Sequence, residues 1–178
     1  PSTSSAASDV YKRQENNVAE EIYESLLMLQ HRGQDAAGMV VCEPSGKLNS
    51  RKSKGYVRDV FQQNHMSNLQ GNFGIGHVRY PTAGGIGKEF AQPMYVNTPY
   101  GISLAHNGNL TNSKKLAAEL FHAERRHINT DSDSEVLLNI FALELSKQEA
   151  VFPKPKDFFA AVEKTHLRIN GAYAVVAL

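Results

Sequence analysis

Two segments of this 178-residue chain are written to fold back on themselves, with helix-patterned sequence before, between and after them. Residues 36–42 form an apolar run and residues 48–53 a second extended stretch. Between them, Glu43-Pro-Ser-Gly-Lys47 is dense in turn formers. The same arrangement recurs at residues 95–97 and 102–106, around Thr98-Pro-Tyr-Gly101. Strands joined by such short loops pair antiparallel. Helices and antiparallel hairpins together predict one α+β domain, and 41% hydrophobic residues suffice for its core.

The helices read from their apolar spacing. Val18, Ile22, Leu26 and Leu29 make one stripe over residues 18–30, and Gly33 ends it. Short helical pieces are expected at residues 57–61 and 64–69, and a strand over 73–80 that delivers Arg79 at its end. Residues 112–124 form another helix. Ser132 and Glu135 predict a capping box that opens the next, whose buried face is Val136, Leu137, Ile140, Phe141 and Leu145. A last helix over 156–167 should turn Phe158, Phe159 and Val162 inward. Asn170-Gly171 then leads into an apolar strand that stops without a closing signal, so the C-terminus reads as cut.

Composition narrows the partners. Net charge is +1, so nothing calls for a nucleic-acid or membrane partner, and Arg125-Arg-His127 with Lys114 and Lys115 is a solvated helix face. The seven histidines show neither HExxH nor CxxC company, so no metal site is expected. No apolar run approaches a membrane span and no signal-peptide pattern is present. Cys42 is the one cysteine, which rules out a disulfide within the chain; its apolar run predicts a buried strand thiol and a reducing, cytoplasmic setting.

The first fourteen residues stand apart. Residues 1–8 are low-complexity Ser, Thr and Ala, and Asp9-Val-Tyr-Lys-Arg-Gln14 resembles a translated transposon-end adaptor. Residues 1–14 are therefore expected to be an adaptor-derived artefact and disordered, the alternative being a genuine disordered tail. The domain proper is residues 15–178.

Three separated motifs carry the chemistry: His77-Val-Arg-Tyr-Pro-Thr-Ala-Gly84, Ala105-His-Asn-Gly-Asn-Leu110 and Thr130-Asp-Ser-Asp-Ser-Glu135. Together, in this order and spacing, they resemble the glutamine-hydrolysing domain of the amidophosphoribosyltransferase family, a class II (type-2) glutamine amidotransferase. The resemblance implies the four-layer αββα sandwich of N-terminal-nucleophile hydrolases, incomplete here. It also implies a catalytic N-terminal cysteine, which would fall near position 7, where Ala7 stands.

By the same resemblance Asn107 and Gly108 form the oxyanion hole, although the dipeptide by itself favours a hairpin turn. Arg79 grips the glutamine α-carboxylate, helped by Thr82, and Asp133 pairs with the α-ammonium. Plainer readings are a surface ion pair for Arg79 and helix-dipole compensation for Asp133. Arg32 and Gly33 are implied beside the nucleophile, and residues 80–90 as a mobile glutamine loop.

The implied reaction is glutamine hydrolysis supplying ammonia to phosphoribosyl pyrophosphate, the first step of purine synthesis. The chain as written is expected to be inactive for want of the cysteine. The phosphoribosyltransferase domain, with its Mg2+, is not within these residues, and no cofactor is expected in them; an iron–sulfur cluster elsewhere is left open. The implied partners are glutamine, that second domain, and further copies in a homo-oligomer. The rival reading is a non-enzymatic glutamine-binding module.

Overall fold

The computed structural model describes residues 17–80, 87–148 and 151–178, and the backbone of residues 7–12. Two antiparallel sheets lie between two layers of helices. The first sheet has strand order β1-β4-β2-β3, from Ala7–Lys12, Phe73–Arg79, Ala36–Cys42 and Leu48–Lys54. The second is β5-β6-β7, from Met94–Val96, Ile102–Leu110 and Gly171–Ala177. Both expected hairpins are present. The α+β class and the αββα arrangement follow.

Each sheet buries one face on helices. Helix α1 (Ala19–Leu29) and the one-turn helix α2 (Val57–Val60) cover the first sheet, where Val18, Ile22, Leu26 and Val57 meet Met39, Val41 and Val78. The second short helix, α3, is Gln63–Met66. Helices α4 (Ser113–His122), α5 (Asp133–Ser146) and α6 (Pro155–Arg168) cover the second sheet. Ten of the fourteen residues of α5 are buried, as in a helix wedged between a sheet and two other helices.

Four expectations change. The backbone of Ala7–Lys12 is a strand paired with β4, not part of a disordered tail. A ladder is made by main-chain groups, so any chain without proline can occupy a sheet edge. On α6 the inward residues are Ala161 and Thr165, while Phe158, Phe159 and Val162 are exposed. Small residues let α6 lie close on its neighbour; larger ones would hold it off.

The capping box is only half formed. Ser132 caps the Ser134 N–H, but the Glu135 carboxylate reaches further back, to the N–H groups of Asn129 and Thr130. Cys42, at the end of β2, is half-buried rather than buried. Among the described residues no helix is long and apolar enough to cross a membrane.

Candidate functional site

Arg79 closes β4, paired across the ladder with Ala36 of β2. Asp35, just ahead of β2, holds it twice. Its N–H donates to the Arg79 carbonyl at 2.9 Å, and its carboxylate accepts from Nη1 of Arg79 at 2.5 Å. Both side chains are more than nine-tenths buried, so the pair is a charge-assisted contact shielded from water. The Phe90 ring lies 5.4 Å from the guanidinium carbon, within cation–π range. A surface ion pair is therefore excluded for Arg79.

The residues implied beside the nucleophile divide. Gly33 is buried against the Val78 and Arg79 backbone, where a Cβ would overlap the main chain. Gln30 braces it, donating to the Gly33 carbonyl and accepting from the Val57 N–H. Arg32 is exposed at the end of the 3-10 turn Gln30–Arg32. On the other side of β4, the backbone of residue 7 stands opposite Val78, one residue from Arg79. Thr82, with most of the expected glutamine loop, lies outside the described residues.

Asn107 and Gly108 are not a turn. They sit inside β6, opposite Ala174 and Tyr173 of β7. Gly108 has φ +154°, and a Cβ there would overlap the Ala172 carbonyl oxygen, so the position needs glycine. Asp133, the first residue of α5, sends its carboxylate onto the same strand. Oδ2 accepts from the Leu110 N–H at 3.0 Å, and Oδ1 lies 3.7 Å from Nδ1 of His106. The carboxylate thus straddles Asn107–Gly108. Its side chain keeps 23% exposure, unlike the sealed Arg79–Asp35 pair.

Two buried histidines flank this region. His106 meets the Ser134 hydroxyl at 3.0 Å through Nδ1; burial lowers its pKa, against the opposing pull of Asp133. His77 on β4 is fully buried, and burial, then the charges of His106 and Arg79, push its pKa down to about 3. Residues 88–93 join the two halves of the site. Phe90 touches Arg79, and the Gln92 side chain bonds both main-chain groups of His106.

The one thiol lies elsewhere. Cys42 is paired with Phe73, at the opposite end of β2 and β4 from Ala36 and Arg79. Six residue-to-residue steps of strand separate them, about 20 Å at the usual rise. Burial, then the Glu43 charge, raises the Cys42 pKa, which disfavours thiolate. An apolar cavity of about 380 Å3 between α6, β6 and β7 is lined by residues such as Phe141, Val162 and Tyr173, and Arg79, Asp133, Asn107 and Gly108 are not among its lining.

Sequence reasoning gave Asp35 and Gln92 no part. Asp35 had a signal, since it closes His31-Arg-Gly-Gln-Asp35, the segment that also holds Arg32 and Gly33, directly before a strand; Gln92, beside Pro93 in a loop, had none.

A two-sheet sandwich between helix layers, with Arg79 ending a strand of one sheet and Asp133 set against the other, has the fold of the N-terminal-nucleophile amidotransferases. Residues 56–161 match the model of the glutamine amidotransferase domain family, and the chain belongs to that family. It is similar to the amidophosphoribosyltransferase of Pseudomonas aeruginosa, 58% identical over 92% of this chain and 32% of the relative. The Escherichia coli enzyme of that name is 55% identical over 90% of this chain and 32% of its own length. The chain thus spans about a third of the length of these curated relatives.

Among solved structures, one described as the allosteric regulatory enzyme of purine biosynthesis superposes with TM-score 0.79 at 31% identity, over 97% of this chain and 35% of the other. A glutamine phosphoribosylpyrophosphate amidotransferase from B. subtilis, complexed with ADP and GMP, gives 0.78 at 29%, with the same coverage.

Proposed function

We propose that this domain binds free glutamine and presents its side-chain amide for hydrolysis, as the ammonia-producing part of an amidophosphoribosyltransferase. The observation that carries the reading is the Asp133 carboxylate straddling Asn107–Gly108. One end of a small amino acid would be held at Asp133 through its ammonium, with its carboxylate at Arg79 and Thr82. Asn107 Nδ2 and the Gly108 N–H would receive the oxyanion that forms when a thiol adds to the amide carbon. Gly33 and Arg32 line the approach to that carbon. The family resemblance would put that thiol near position 7, where this chain has Ala7 and the backbone lies beside Val78.

The 178 residues as written do not hydrolyse glutamine on this reading, because Cys42 is at the far end of the sheet. In the longer protein the released ammonia is consumed by phosphoribosyl pyrophosphate, giving 5-phosphoribosylamine in the first step of purine synthesis. That transfer belongs to the same proposal and rests on the name that the relatives carry; its Mg2+ and a homo-oligomeric assembly rest on the family resemblance of the motifs, and a cytoplasmic setting on the single cysteine.

Titration calorimetry tests the pocket without any nucleophile. L-Glutamine should bind, whereas glutamine acetylated at its amine or amidated at its α-carboxyl should not. Equal affinity for either blocked form would overturn the two-ended grip.

A further inference from the structure

Beyond its shared strand with β7, β6 has a second edge, and there the backbone ladder stops early. Met94 pairs with Leu104, the last residues of β5 and β6 so matched. Continued by two residues, that register would set Gln92 opposite His106. Pro93 intervenes, and the main chain does not continue the ladder. The Gln92 side chain takes its place. Oε1 accepts from the His106 N–H at 2.7 Å and Nε2 donates to the His106 carbonyl at 3.1 Å. These are the two bonds that an opposed strand residue would exchange, made here by a primary amide carrying the same donor and acceptor.

Gln92 is itself buried, and its main chain is seated on the facing sheet: a Cβ at Gly38 of β2 would overlap the Gln92 carbonyl oxygen. The next residue but one, Met94, accepts the Ser103 hydroxyl at its carbonyl, and the Pro93 carbonyl accepts from the Lys52 ammonium at 2.9 Å. The segment is therefore pinned on both sheets, and its contact with β6 beyond β5 is the amide clamp on the residue directly before Asn107.

We propose that Gln92 is a positioning residue for the oxyanion hole: its side-chain amide holds the edge of β6 at His106, and so sets where Asn107 and Gly108 present their donors. The inference rests on the glutaminase reading. An oxyanion hole works by preorganisation, so a small displacement of its donors lowers the rate of the chemical step while leaving ground-state binding at Arg79 and Asp133 in place.

The test uses a nucleophile-bearing chain in which residues 1–12 are replaced by Cys-Gly-Ile-Val-Gly-Ile, the start that the family resemblance implies. Gln92→Met keeps the volume and removes both bonds. It should lower kcat for glutamine about ten- to hundred-fold with KM unchanged. Gln92→Glu, which keeps an acceptor for the His106 N–H, should lose less. Asn107→Ala should lower kcat further, and the double variant should be no worse than Asn107→Ala alone.

If Asn107→Ala leaves kcat intact, the glutaminase reading of that residue fails and this inference falls with it. If Asn107→Ala is impaired but Gln92→Met is not, or the two losses multiply, or Gln92→Met raises KM instead, the inference alone is overturned. Should Gln92→Met not fold, Gln92→Glu decides the same comparison. In the 178-residue chain, Gln92→Met should also speed hydrogen exchange at the His106 amide at least about ten-fold, as expected for loss of a buried bond; unchanged exchange would contradict the clamp.

Discussion

The two charged ends of the candidate pocket are built differently. Arg79 ends a central strand, is sealed from water, and is fixed by a carboxylate of its own protein. Asp133 begins a helix, stays part-exposed, and among the described residues touches a backbone N–H and a histidine. The difference teaches which end is architecture and which is adjustable. Buried charge is stable only when paired, so Arg79 and Asp35 must be kept or lost together. A carboxylate in the first turn of a helix meets a favourable dipole and needs no counter-ion of its own. The first end should therefore report changes as folding, and the second as function.

The largest effect expected is at the sealed end. Arg79→Ala strands Asp35 as an uncompensated buried charge and should destabilise the domain by about 3–5 kcal/mol in denaturant melts. Arg79→Lys retains a charge for Asp35 but not the planar fork, so in the nucleophile-bearing chain it should fold and still raise KM for glutamine. A melt of Arg79→Ala that matches the parent would break the distinction between the two ends.

Asp133→Asn should do the reverse. Asparagine keeps an acceptor for the Leu110 N–H and starts helices nearly as well as aspartate. Stability should shift by no more than about 1 kcal/mol, while hydrolysis falls about ten- to hundred-fold for want of a charge on the glutamine ammonium. If rate holds while stability drops, Asp133 serves only the helix.

A smaller effect sits between them, at His77. Its folded pKa of about 3 is below the unfolded 6.5, so between those values the unfolded chain binds the extra proton. The stability it contributes is complete above 6.5 and lost as pH falls towards 3. Between pH 7 and pH 5 the loss should be about 2 kcal/mol, at about 1.4 kcal/mol per pH unit over most of that window. Denaturant midpoints over this range check it; His77→Gln should flatten the slope. Smallest of all, Phe159→Ala on the exposed face of α6 should change stability by less than about 0.5 kcal/mol. A larger loss would return that face to the core.

How much of this was readable beforehand depended on the range of the interaction. The stripe in α1, both hairpins and the helix start at Ser132 are local patterns, and they appear where the spacing put them. Asn107–Gly108 was ambiguous because a turn and a strand-borne glycine share the same dipeptide; only the partner strand β7, more than sixty residues on, separates them. Phe158 and Phe159 misled because apolar periodicity does not say which face meets a neighbour, and small Ala161 and Thr165 make the closer packing. Gln92 was invisible. Its role exists only where Pro93 interrupts a ladder whose other strand lies fourteen residues away.

Glutamate release from glutamine tests the central claim most directly. The nucleophile-bearing chain should release glutamate well above a boiled control, and the 178 residues as written should not. A nucleophile-bearing chain that folds by circular dichroism yet stays inert would contradict the account, as would hydrolysis by the chain whose one thiol is Cys42.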